Sequence, residues 1–143
     1  MELTLDATLA VRVLHVIAAT LAVGIPVALA LVVAACPEPE VVERLVTPAE
    51  RAQWGALAVL VATGVGNLAA FEGNFPGGDW ETVLFTKLGF VFALLVVSAV
   101  RTFVIAGLAS RPAPHVRRLG GWYLATAGLG VLIVGLAEVL AHG

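Results

Sequence analysis

The stretch that decides the fold is "RVLHVIAATLAVGIPVALALVVAAC", Arg12 to Cys36. Beyond its first turn it is apolar throughout, and about 20 mostly apolar residues suffice for a helix to cross a bilayer. Two ionisable residues, Arg12 and His15, stand one turn apart near its start. Such residues cost roughly 2.5–3.5 kcal/mol each at membrane depth on insertion scales, so they face the bundle interior and find partners there. The segment therefore predicts both a spanning helix and polar company for it on other helices.

The whole chain agrees with the first expectation. Of its 143 residues 60% are hydrophobic and 13% charged, with a mean hydropathy of +1.01. Soluble domains are about 25% charged, so this composition belongs to the membrane class. Four stretches are long and apolar enough to span: about 7–35, 49–71, 80–109 and 116–141. They predict an all-α integral membrane four-helix bundle comprising one domain over residues 1–143. A cleaved signal peptide is not expected, because the first apolar run is too long and acidic Glu2 and Asp6 precede it.

Boundary signals refine the picture. "TPAE", Thr47 to Glu50, reads as a capping box with proline at the first helical position and starts helix two there. Asp79 in "GGDWET" reads as the cap of helix three. Pro26 lies within the first span, where it frees a carbonyl and is expected to kink the helix. Gly121, Gly128 and Gly135 recur seven apart on helix four and predict a close helix contact. "TGVGN", Thr63 to Asn67, and Ala18, Ala19 and Ala22 beside His15 predict the same on helices two and one.

Positive charge sets the expected orientation. Arg44, Arg51, Arg101, Arg111, Arg117 and Arg118 flank the one–two and three–four loops, whereas the other side holds Arg12 and Lys87. The positive-inside rule then places both termini on the outer, extracytoplasmic side. Trp54, Trp122 and Tyr123 fall at the inner interface in this reading, and Arg101 snorkels toward the arginine-rich loop.

In that orientation every span contributes polar groups to the outer half: Arg12 and His15, then Asn67 and Glu72, then Lys87, then Glu138 and His142. One account has Arg12 and Lys87 snorkelling, neutralised by the carboxylates. The other makes the set an outward-facing site. A neutral histidine ligates copper, zinc or haem iron, and His15, Glu72, Glu138 and His142 are the candidate metal ligands. Arg12 and Lys87 are candidates to pair with haem propionates or another anion, beside His15 as a cofactor ligand. His15 with a carboxylate could also relay protons.

Several classes are poorly supported. The arginines form no patch interleaved with aromatics, so nucleic acid is not an expected partner. Cys36 is the single cysteine, which excludes an internal disulfide and a Cys-rich metal cage. The chain has no "HExxH", "GxSxG" or P-loop motif, so soluble-type catalysis is not expected.

"LHVIAATLAVG" in helix one followed by "TVLFTKLGFVFALLVVSAVR" in helix three resembles CopD-type copper-resistance membrane domains. The small four-helix HemJ-type protoporphyrinogen oxidases, which bind b-type haem, look similar too. In both resemblances His15 and Lys87 are the matching positions. The resemblance implies a bacterial inner-membrane protein handling copper or a metallocofactor such as haem b. The chain departs from the HemJ-type pattern: "AATLAVG" replaces a tryptophan after the helix-one histidine, and "RRLGGWYLA" replaces an "NE.P" stretch. Met1 is the one methionine, so a soft-ligand Cu(I) path would have to use histidine and oxygen. A non-catalytic transmembrane subunit, partnered by other membrane subunits or by its own copies in the lipid bilayer, is the alternative.

Overall fold

The computed structural model describes residues 2–36, 38–69, 77–108 and 112–142. Within them the chain forms four helices: α1 (Glu2–Ala35), α2 (Pro39–Ala69), α3 (Asp79–Leu108) and α4 (Pro112–His142). Each contains a segment long and apolar enough to cross a membrane. Large apolar side chains such as Leu9, Val65, Phe85, Phe92, Phe103 and Val131 lie on the outside. Outward apolar faces suit a lipid solvent, in which backbone groups must be satisfied within the helices themselves.

The helices alternate in direction. His15 on α1 meets Thr63 on α2 while Gln53 meets Ala22, so α1 and α2 run antiparallel. Val23 against Gly130 and Val33 against Gly120 fix the same relation for α1 and α4. Packing is nevertheless uneven. α1 lies against α2 and α4, and α3 lies against α4, but the backbones of α2 and α3 scarcely meet. The bundle is therefore a row, α2–α1–α4–α3, folded round so that its two end helices face each other across a seam.

Helix α2 begins at Pro39, not at the "TPAE" stretch, and Pro48 lies inside it. Proline suits the first position of a helix, and Glu40 in the first turn complements the helix dipole. The continuous helix presents Val42, Val46 and Glu50, four apart, to the interior, where all three are buried. Thr47 Oγ1 donates weakly back to the Glu43 carbonyl at 3.5 Å instead of capping. Burial of that face outweighs the local capping signal. Asp79 does open α3, directly after Gly78, whose φ of +73° is the left-handed conformation glycine tolerates.

The freed carbonyl expected at Pro26 is accounted for. Proline has no N–H for the carbonyl four residues back, and the buried Gln53 Nε2 donates to that oxygen, on Ala22, at 3.0 Å.

The glycine repeat on α4 is a correction. A Cβ added at Gly121, Gly128 or Gly135 would meet nothing within 4 Å, and these residues are exposed. The packed face is the one carrying Leu119, Tyr123, Thr126, Ala127, Gly130 and Ile133. Gly130 is the close approach: a Cβ there would sit 2.8 Å from Val23 Cγ2. Valine is stiff at χ1. Gly130→Ala is therefore expected to destabilise the bundle by about 1–3 kcal/mol, read as a lower unfolding midpoint in mild detergent.

Candidate functional site

Two apolar clusters and two polar layers alternate along the bundle. Leu29, Val33, Val42, Val46 and Leu119 pack at the end carrying the one–two and three–four loops. A polar layer around Glu50 and Arg101 follows. Ala22, Ala56, Leu57, Leu94 and Ile133 form the next, apolar layer. Beyond it, toward the termini, come His15, Thr63 and Lys87. Glu50 and Thr63 are 13 residues apart on α2, which separates the two polar layers by about 20 Å.

At the termini end, His15 Nδ1 lies 2.8 Å from Thr63 Oγ1. The threonine hydroxyl has one proton, already directed at the Val59 carbonyl at 2.6 Å, with the Leu60 carbonyl at 3.2 Å. Its oxygen is thus an acceptor toward the imidazole, and Nδ1 carries the proton of a neutral His15. This tautomer, assigned from the hydrogen-bond network, gives Nε2 the lone pair. Gly64 and Gly66 permit the approach: their Cβ positions would lie 3.7 Å from His15 Cε1 and 3.6 Å from Val11 Cγ1. Ala18 and Ala22 are buried on the same side of α1, as their spacing suggests.

Lys87 is half-buried on α3, and the register set by Glu50 and Arg101 places it at the depth of Thr63 and His15. The antiparallel register of α1 with α4 brings Glu138 to the same depth. Its side chain is exposed, as is that of Arg12. The shared depth of His15, Lys87 and Glu138 is thus reproduced, with the His15–Thr63 hydrogen bond as its defined contact. Glu72 and the His142 side chain lie outside the described residues. Among the described residues no group of three His, Cys, Asp or Glu gathers into a metal-binding cluster. Cys36 is a free, exposed thiol.

The second polar layer has a different origin. Arg101 does not snorkel; it is fully buried, with Nε donating to Glu50 Oε1 at 2.7 Å and Nη1 to Thr126 Oγ1 at 2.7 Å. Its guanidinium carbon lies 4.7 Å from the Tyr123 ring centroid, a cation–π distance. Tyr123 is likewise fully buried inside the bundle, and its hydroxyl donates to Glu50 Oε1 at 3.2 Å. Thr102 Oγ1 lies 3.0 Å from Glu50 Oε2, and Trp54 Nε1 donates to Thr102 Oγ1 at 3.0 Å. Snorkelling loses because a buried carboxylate on α2, and the Thr126 hydroxyl oxygen and Tyr123 ring on α4, are available at the depth where Arg101 emerges from α3.

Side chains thus bridge the seam that the α2 and α3 backbones leave open. Beside them lies a cleft of about 590 Å³, lined by Val46, Glu50, Trp54, Thr102 and Ile105 among others. Glu50, Gln53 and Thr126 carry this layer and were not among the sequence candidates. The available signal was Arg101 itself: a cation in register with buried Leu94 and Ser98 demands a partner, and Glu50 is the carboxylate in register on α2. No protein-family model, curated protein or solved structure matches the chain.

Proposed function

We propose that this is a multi-pass membrane protein that holds a metal centre at the end carrying its termini, with His15 as the protein's donor. The metal arrives as a metallocofactor bearing its own acidic groups, of which b-type haem is the example. The observation that carries this reading is the His15–Thr63 hydrogen bond, which fixes the imidazole and leaves Nε2 as a lone pair. A partner on the far ring nitrogen is the usual support of a ligating histidine.

Lys87 favours a cofactor over a bare ion in this reading. An ammonium group at the depth of His15 repels a naked cation, and more strongly in a low-dielectric interior than in water. The same charge attracts carboxylates, so Lys87, with Arg12 toward the headgroups, suits the acidic substituents of a haem. Bound there, the group would supply one-electron redox chemistry. The chain's own part is to present Nε2, hold the ring and supply the cations. The arginine distribution supports placing this end outside a bacterial inner membrane.

Bare copper is the weaker form of the proposal, given the Lys87 charge. The test is the visible spectrum of the protein, extracted in mild detergent from cells supplied with haem, oxidised and then dithionite-reduced. A Soret band that sharpens on reduction is expected, and His15→Ala is expected to lose it while still folding. A colourless wild-type protein would contradict the haem reading, and a stoichiometric protein partner in its place would favour the subunit alternative.

A further inference from the structure

Three buried polar atoms in the Glu50–Arg101 region have no hydrogen-bond partner among the described residues: Arg101 Nη2, Ser98 Oγ and Gln53 Oε1. All three residues are fully buried. The Glu50–Arg101 contact sets the register of α2 against α3, and that register puts Gln53 and Ser98 in one layer, a single turn from the ion pair. Gln53 is held in place by its bond to Ala22, and Arg101 by Glu50 and Thr126, so these groups cannot turn away to find water elsewhere.

We infer that Arg101 Nη2, Ser98 Oγ and Gln53 Oε1 form a binding site for an internal water molecule at the centre of the bundle. The chemistry of the three atoms selects the ligand. Nη2 only donates, Oε1 only accepts, and a serine hydroxyl does both. An anion would face the Gln53 carbonyl oxygen, and a cation would face the guanidinium. A water satisfies all three, and about three hydrogen bonds is the usual complement of a buried water. The site lies beside the seam, where α2 and α3 scarcely meet backbone to backbone and the cleft reaches Glu50 and Thr102, one turn from the three atoms. On the other side the Leu57–Leu94–Ile133 layer closes the path toward His15. The inference is independent of the His15 reading.

Ser98→Ala tests it through the sign of a stability change. A hydroxyl bonded to a water contributes to folding, so its removal is expected to lower the melting temperature in mild detergent by a few degrees. An unpaired buried hydroxyl is a penalty, and removing it would raise the melting temperature or leave it unchanged. That outcome would overturn the site. A high-resolution experimental map gives the second reading. Density for a water within hydrogen-bond reach of the three atoms is expected, and a dry, closed space there would overturn the inference whatever the melting temperature does.

Discussion

Arg101→Ala is expected to destabilise the protein by about 3–5 kcal/mol, the scale for breaking a buried ion pair. The substitution leaves the Glu50 carboxylate inside the bundle with only the Tyr123 and Thr102 hydroxyls near it. Glu50→Ala is expected to cost a similar amount, since the guanidinium then keeps Thr126 and the Tyr123 ring but no counter-charge. Replacing both together with apolar residues of similar volume is expected to recover most of the loss, because neither charge is then stranded. Equilibrium unfolding of the three variants in detergent measures this. Had Arg101 snorkelled to the loop, the single change would cost only about 0–1 kcal/mol. The pair also bridges α2 and α3, whose backbones scarcely meet, so the damage is expected to concentrate at that seam.

Thr63→Val is expected to weaken cofactor retention by about 10–100-fold with the helices intact. Valine nearly matches threonine in shape but has no hydroxyl. His15 Nδ1 then loses the Thr63 hydroxyl as its acceptor, so the ring is held less firmly and Nε2 is less securely the lone-pair nitrogen. The buried hydrogen bond itself contributes only about 1 kcal/mol to stability, so the binding defect should exceed the folding defect. Gly64→Ala is the control. Its new methyl would rest 3.7 Å from His15 Cε1, an ordinary van der Waals contact, and it leaves the hydrogen bond in place. Titration of the three proteins with haem, followed at the Soret band, separates these effects.

The spans and the depth of the termini-side polar groups were legible because both follow from counting residues along helices. Hydropathy sets where a span lies, and 1.5 Å of rise per residue then sets which groups share a level. The common level of His15, Lys87 and Glu138 came from that arithmetic. What was not legible is lateral. "TPAE" satisfies the description of a capping box, yet it lies mid-helix, because Val42, Val46 and Glu50 gain more by facing the core together. The heptad glycines on α4 fit a packing motif, but rotation of that helix turns Thr126 toward Arg101 and Gly130 toward Val23, and so turns the repeat outward. Local patterns carry helix position well and helix rotation poorly. Rotation depends on residues 25 or more positions away, as Thr126 depends on Arg101, and Glu50 on Arg101 and Tyr123.

In the proposed reading the two polar layers do different work: Glu50–Arg101 ties α2 to α3, and His15–Thr63 presents a ligand. A thermal melt followed by visible absorbance, run on wild type, His15→Ala and Arg101→Ala with haem supplied, tests that division most directly. The expected result is a coloured wild type, a colourless His15→Ala that melts close to the haem-free wild type, and an Arg101→Ala that melts far lower. A colourless wild type, with His15→Ala melting as low as Arg101→Ala, would contradict it and make His15 a structural tie like the other layer.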